Sequence, residues 1–178
     1  MQVDLSSDYF DLFGLTRGFD IDTSALRTRY RELQKSLHPD RYAAASDAER
    51  RWSVQAAAFV NEAERVLAKP LHRAVYLLEL EGVDTDTETD TSMPPDFLMQ
   101  QMEMREQLAD IPDAAEPYAK VDAARNELNA SVKSTAAAFA SSLAASDLAE
   151  ARQQVRQWQF LDKLLSELGD IEAALDDA

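Results

Sequence analysis

The sequence predicts an all-α fold: an N-terminal helical hairpin joined to a C-terminal antiparallel three-helix bundle. Three observations carry this. Only 4 of 178 residues are glycine and 6 proline, while 46% are hydrophobic, so the chain can build a core and seldom breaks a helix. Apolar residues recur at spacings of three and four, the period of one helical face. Residues 82–95, Gly-Val-Asp-Thr-Asp-Thr-Glu-Thr-Asp-Thr-Ser-Met-Pro-Pro, are acidic, threonine-rich and almost without apolar side chains. They read as a linker between a first domain, 1–81, and a second, 96–178.

The elements follow in order. Residues 8–13 are an aromatic segment that Asp8 can cap and Gly14 stops, with Tyr9, Phe10 and Phe13 as core candidates. Asp22-Thr23-Ser24 offers N-caps for a helix whose apolar face is Leu26, Tyr30, Leu33 and Leu37. Arg27, Arg31 and Lys35 recur every fourth residue beside that face as a basic ridge. Pro39 ends the helix, because the residue before a proline is steered out of the α region. After a loop at 41–46, Ser46 or Asp47 caps a helix over about 47–68, with Trp52, Ala56, Phe59, Ala63 and Val66 or Leu67 inward. Pro70 opens a shorter helix, with Leu71, Val75 and Leu78 on one side, ending near Gly82.

Three helices are expected beyond the linker. The first runs from Asp96 to Ile111 and stops at Pro112. The second starts near Pro117 and carries Val121, Leu128, Val132, Phe139 and Leu143. The third starts at Asp147, with Glu150 completing a capping box, and carries Leu148, Val155, Trp158, Leu161, Leu165, Leu168 and Leu175. Short connections between long amphipathic helices imply an antiparallel bundle.

Composition narrows the function. There is no cysteine, so no disulfide forms and no thiolate holds zinc or an iron–sulfur cluster. The start lacks a basic segment followed by an apolar run, and no apolar stretch reaches bilayer length; a soluble cytoplasmic protein is expected. Residues 1–75 hold 11 Lys+Arg and 11 Asp+Glu, so the remaining 7 and 22 give residues 76–178 the whole net charge of −15. That acidity argues against a nucleic-acid partner, which needs clustered cations. It suits a basic or mixed protein partner, or serves solubility. No glycine-rich phosphate loop, metal-ligand spacing or nucleophile–histidine pair is present, so no catalytic site and no cofactor are expected. The acidic pairs Glu103/Glu106 and Asp176/Asp177 read as solvated helix surface.

His38-Pro39-Asp40 stands between two core-forming helices, where a hairpin would present it at an exposed tip, with Arg41 directly after it. Alone, three residues say little. Together with the stripe from Leu26 to Leu37, the basic ridge, the helix 47–68 and the opening Tyr9-Phe10-Asp11-Leu12-Phe13-Gly14-Leu15, they resemble a J-domain, the activating module of DnaJ-type co-chaperones. The resemblance implies that His38, Pro39, Asp40 and Arg41, with Arg27, Arg31 and Lys35, dock on the ATPase domain of a DnaK-class chaperone and promote ATP hydrolysis. Asp40 can pair with a partner arginine, Pro39 keeps the turn rigid, and the ridge steers towards an acidic surface. Arg29 is a further candidate for that ridge. His72, inside a helix, reads as structural.

The helix 96–111 separates into two faces at about 100° per residue. Phe97, Met104, Leu108 and Ile111 form a narrow core stripe. Leu98, Met99, Met102, Glu103, Glu106 and Asp110 gather opposite. Apolar groups beside acids on an outer face either mark a partner site or are covered by a neighbouring helix or domain.

A second resemblance bears on that choice. The segments from Phe97 to Glu106, from Phe160 to Leu164 and from Pro70 to Leu78 look like the HscB family, in the right order and over nearly the whole chain. HscB proteins are J-type co-chaperones of iron–sulfur cluster biogenesis. The resemblance implies that the bundle binds the cluster scaffold protein IscU and that the J-domain delivers it to HscA, a specialised DnaK-class chaperone, which drives cluster release to acceptor proteins. The family's scaffold-binding positions fall on Leu98, Met99, Met102, Glu103, Glu106, Asp110 and Phe160. Phe160 lies off the main apolar stripe of its helix, so a surface position is expected for it. Met102 and Asp110 replace the family's usual longer aliphatic and glutamate with similar chemistry. The cysteine-rich extension of eukaryotic relatives is absent, which favours a bacterial type. A J-protein serving another client is the nearest alternative, and an enzyme built on helices a more distant one; intrinsic turnover of the purified protein would mark the latter, and none is expected.

Overall fold

The computed structural model describes residues 3–85 and 95–177, with backbone alone for 95–97. These form seven α-helices and one short 3₁₀ turn: α1 Tyr9–Phe13, α2 Thr23–Leu37, the turn Pro39–Tyr42, α3 Asp47–Ala68, α4 Pro70–Leu80, α5 Pro95–Ala109, α6 Pro117–Ala144 and α7 Leu148–Asp176. The chain divides into two compact units, Met1–Leu77 and Leu78–Ala178. Of the linker expected at 82–95, residues 86–94 lie outside the described residues. No helix among the described residues is long and apolar enough to cross a membrane.

Unit 1 is built on the α2–α3 hairpin, with α1 packed on both helices. Asp22 caps α2: its carboxylate accepts the N–H groups of Ser24 and Ala25, each at 2.9 Å. Removing such a cap leaves helix-end donors unsatisfied. Asp22→Ala is expected to lower the stability of unit 1 by about 1 kcal/mol. Urea unfolding followed by Trp52 fluorescence in a Trp158→Phe background checks this, and an unmoved midpoint contradicts it. Ser46 and Glu49 form a full capping box at the start of α3. Gly14 closes α1 at φ 66°, a left-handed conformation in which Leu15 N–H reaches back to the Phe10 carbonyl at 2.9 Å.

Burial follows the predicted stripe on α2 at Leu26, Leu33 and Leu37, with Tyr30 half-buried, but it is rotated on α3. There Ser53, Ala56, Val60, Ala63 and Leu67 are buried, while Trp52, Phe59 and Val66 are half-buried. The large side chains sit on the edges of the buried face, and small ones let α2 approach. Ser53 is tolerated inside because its hydroxyl donates to the Arg50 carbonyl at 2.8 Å. Tyr9 is half-buried rather than core. Its ring stacks on Tyr76 at 4.4 Å, and its N–H donates to the Tyr76 hydroxyl at 3.0 Å. On α4, Ala74, Leu77 and Leu78 are buried; Leu71 and Val75, expected inward, are half-buried.

In unit 2, α6 and α7 run side by side, joined by a turn at 145–147, and α5 packs on α7. Leu108, Ile111, Val121, Leu128, Leu161, Leu164 and Leu168 share one core, with Met104 packed against it. The capping box expected at α7 forms by half. Asp147 accepts the Glu150 N–H at 3.1 Å, whereas the Glu150 carboxylate accepts from the Gln154 side chain instead.

Candidate functional site

The tip of the hairpin is shaped by the pre-proline position. His38 leaves the helix at φ −56° and ψ 133°, and the chain re-enters a 3₁₀ turn at Pro39. The turn is capped: the Asp40 N–H donates to His38 Nδ1 at 3.3 Å, and the Arg41 N–H to the His38 carbonyl at 3.0 Å. The Asp40 carboxylate lies 3.5 Å from the same nitrogen. Both side chains face water, at 60% and 90% exposure. The imidazole and carboxylate are thus presented outward on a fixed turn. Tyr42 leans on Trp52 of α3, with ring centroids 6.2 Å apart, and ties the turn to the hairpin.

Arg27, Arg31, Lys35 and Arg41 are exposed. Along α2 the first three rise one turn at a time towards the tip, a row of cations continuous with the turn. Arg29 is held by Glu32 at 2.9 Å and is less available to a partner. His72 Nδ1 lies 3.3 Å from Arg65, which itself pairs with Glu62, in keeping with a structural place.

The second cluster is on α5. Leu98, Met99 and Met102 are 45%, 62% and 72% exposed, and Glu103, Glu106 and Asp110 are exposed beside them. The opposite face is buried at Leu108 and Ile111 and half-buried at Met104; the Phe97 side chain lies outside the described residues. Among the described residues no group of three or more histidines or acids is arranged to hold a metal ion.

Phe160 departs from expectation. It is 7% exposed and belongs to the bundle core, so its expected surface position is corrected. The Arg105 guanidinium lies over its ring at 5.6 Å and is drawn towards Glu167 at 3.4 Å. The physical reason is that both α5 and α6 pack on α7, which widens its buried arc beyond a single stripe. Phe160 lies beneath α5, under Arg105, whereas the other six residues of the cluster are on the solvent side of that helix.

Sequence reasoning also missed Arg73. It is 6% exposed, donates through Nε to the Phe19 carbonyl at 2.7 Å and through Nη1 to the Leu67 carbonyl, and lies over the Phe19 ring. Its one local signal is an arginine inside the apolar run from Leu71 to Leu80.

Comparison with known proteins gives a consistent result. Residues 93–169 match the family model described as the HSCB C-terminal oligomerisation domain. A co-chaperone protein HscB homolog of Bordetella petrii is 46% identical over 163 residues, covering 92% of this chain and 95% of its own. The solved structure of the chaperone HscB from Vibrio cholerae superposes with a TM-score of 0.86 at 38% identity, over 95% of this chain and 99% of that one. The crystal structure of the human co-chaperone HscB gives 0.88 at 30% identity, over 97% of this chain and 85% of that one.

Proposed function

The chain belongs to the HscB family of co-chaperones, and from this we propose that it joins two proteins through two separate surfaces. The first, made of His38, Pro39, Asp40 and Arg41 with Arg27, Arg31 and Lys35, engages the ATPase domain of HscA and promotes ATP hydrolysis. The second, made of Leu98, Met99, Met102, Glu103, Glu106 and Asp110, holds the scaffold IscU. Residues 1–81 act as the J-domain, 82–95 as the linker and 96–178 as the scaffold-binding bundle, in the cytoplasm. The protein supplies no chemistry of its own; ATP turnover belongs to the chaperone, and cluster transfer to acceptors follows from it.

The observation that carries this reading is the α5 face. Three large apolar side chains stay in water beside three carboxylates, although the opposite face of the same helix is buried. Leaving such a patch exposed has no folding advantage, and adaptable methionines at a rim of charge fit a transient protein contact. Phe160 joins the contact only where Arg105 moves aside.

Calorimetric titration with IscU tests it. Leu98→Ala/Met99→Ala is expected to weaken binding by on the order of tenfold or more, each side chain losing apolar burial at the interface. The same variant keeps scaffold-independent stimulation of HscA. Unchanged IscU affinity sinks the assignment of the face. No binding of IscU by the wild-type protein favours the second reading, a J-protein that delivers a different client.

A further inference from the structure

We infer that Met99 and Met102 are an oxidation-sensitive pair, and that their conversion to sulfoxides releases the scaffold; this rests on the reading of the α5 face given above. The two thioethers are 62% and 72% exposed and stand three residues apart, one helical turn, on the same side of α5. Met104, in contrast, is half-buried against the bundle core. Oxidation follows access, so among the described residues the reactive methionines are the two in the docking patch, and the shielded one supports the fold.

The step needs a hydroperoxide. The thioether sulfur attacks the distal oxygen, an S–O bond forms and the O–O bond breaks. The sulfur loses two electrons to the peroxide, and the proton of the transferred oxygen goes to the departing hydroxide, giving water when the oxidant is hydrogen peroxide. The product is a polar sulfoxide with a strong acceptor oxygen in place of an apolar group. In the free protein that oxygen is hydrated at no expense, so the bundle tolerates the change. In the complex it is stripped of water against a surface selected for thioether contact, and Glu103 and Glu106 beside it are carboxylates that offer no donor. The change therefore acts on binding and spares folding. Chemical reduction of the sulfoxides reverses it.

The test uses the full chain treated with hydrogen peroxide, peptide mass mapping to locate the added oxygens, and titration with IscU. For the wild type, sulfoxide at 99 and 102 is expected to lower affinity by on the order of tenfold or more, and methionine sulfoxide reductases restore it. For Met99→Leu/Met102→Leu, the ratio of affinities before and after peroxide is expected to stay near one, whatever its starting value. Scaffold-free stimulation of HscA by the wild type stays unchanged on oxidation. Two outcomes overturn the inference: oxidised wild type that binds as before, or a leucine variant weakened by peroxide as much as the wild type. Leu98→Asp in unoxidised protein separates the two readings. If it binds IscU normally, the docking face itself is wrong; if it loses binding while sulfoxides have no effect, only the oxidation inference fails.

Discussion

Asp40→Asn and, separately, His38→Gln are expected to reduce stimulation of the HscA ATPase to the basal rate while leaving fold and scaffold binding intact. The two side chains are 90% and 60% exposed, so no core depends on them. Surface changes of this kind move stability within about 0.5 kcal/mol. Asn keeps the size of Asp40 but removes its charge and exchanges one acceptor oxygen for an N–H donor, so a loss of stimulation identifies the carboxylate as what the chaperone reads. Gln at 38 withdraws the ring nitrogen that accepts the Asp40 N–H, and so loosens the turn that aims the carboxylate. Arg31→Ala should behave differently. As one exposed cation of three, it is expected to slow association and flatten its salt dependence without abolishing stimulation at saturation. Steady-state ATPase assays at several co-chaperone concentrations separate these cases. Full stimulation by either Asp40→Asn or His38→Gln removes the tip from the mechanism.

The second large effect concerns stability. Arg73→Ala is expected to cost unit 1 about 2–4 kcal/mol, because two carbonyls lose their donor and a buried volume opens. Burial pulls the Arg73 guanidinium below the pKa of a solvated arginine, and Asp20, pulling the other way, offsets only part of that desolvation. The positive charge holds the 15–22 loop, through the Phe19 carbonyl and ring, to the end of α3, through the Leu67 carbonyl. Arg73→Lys should rescue little, since an ammonium cannot fork between two acceptors while stacking on the ring. Urea unfolding monitored at Trp52 reads unit 1, and at Trp158, in a Trp52→Phe background, unit 2. The first midpoint should fall and the second hold. Equal falls, or none, contradict the assignment.

These two cases also mark what could be read from the sequence. The α2 stripe, the stop at Pro39, the ridge and the exposed face of α5 are local: each follows from spacing along one helix, and each is where it was expected. Phe160 was misplaced because spacing on α7 does not say that two helices, α5 and α6, lie against it. The α3 stripe was rotated because alanines at 56 and 63 belong to either of two faces, and the choice between Trp52–Phe59 and Ser53–Val60 depends on how closely α2 approaches. Arg73 and Phe19 meet across 54 residues, a contact with no local signature. What escaped was long-range packing, while the surfaces assigned to partners are short-range features.

Tyr30 of α2 reaches Asn61 of α3 at 3.0 Å, Gln34 reaches the same side chain, and Tyr42 leans on Trp52 nearer the tip. These cross-braces make the ridge and the turn one stiff lever. A chaperone that closes on it immobilises a few cationic side chains, at about 0.5–1.5 kcal/mol each, and almost no backbone.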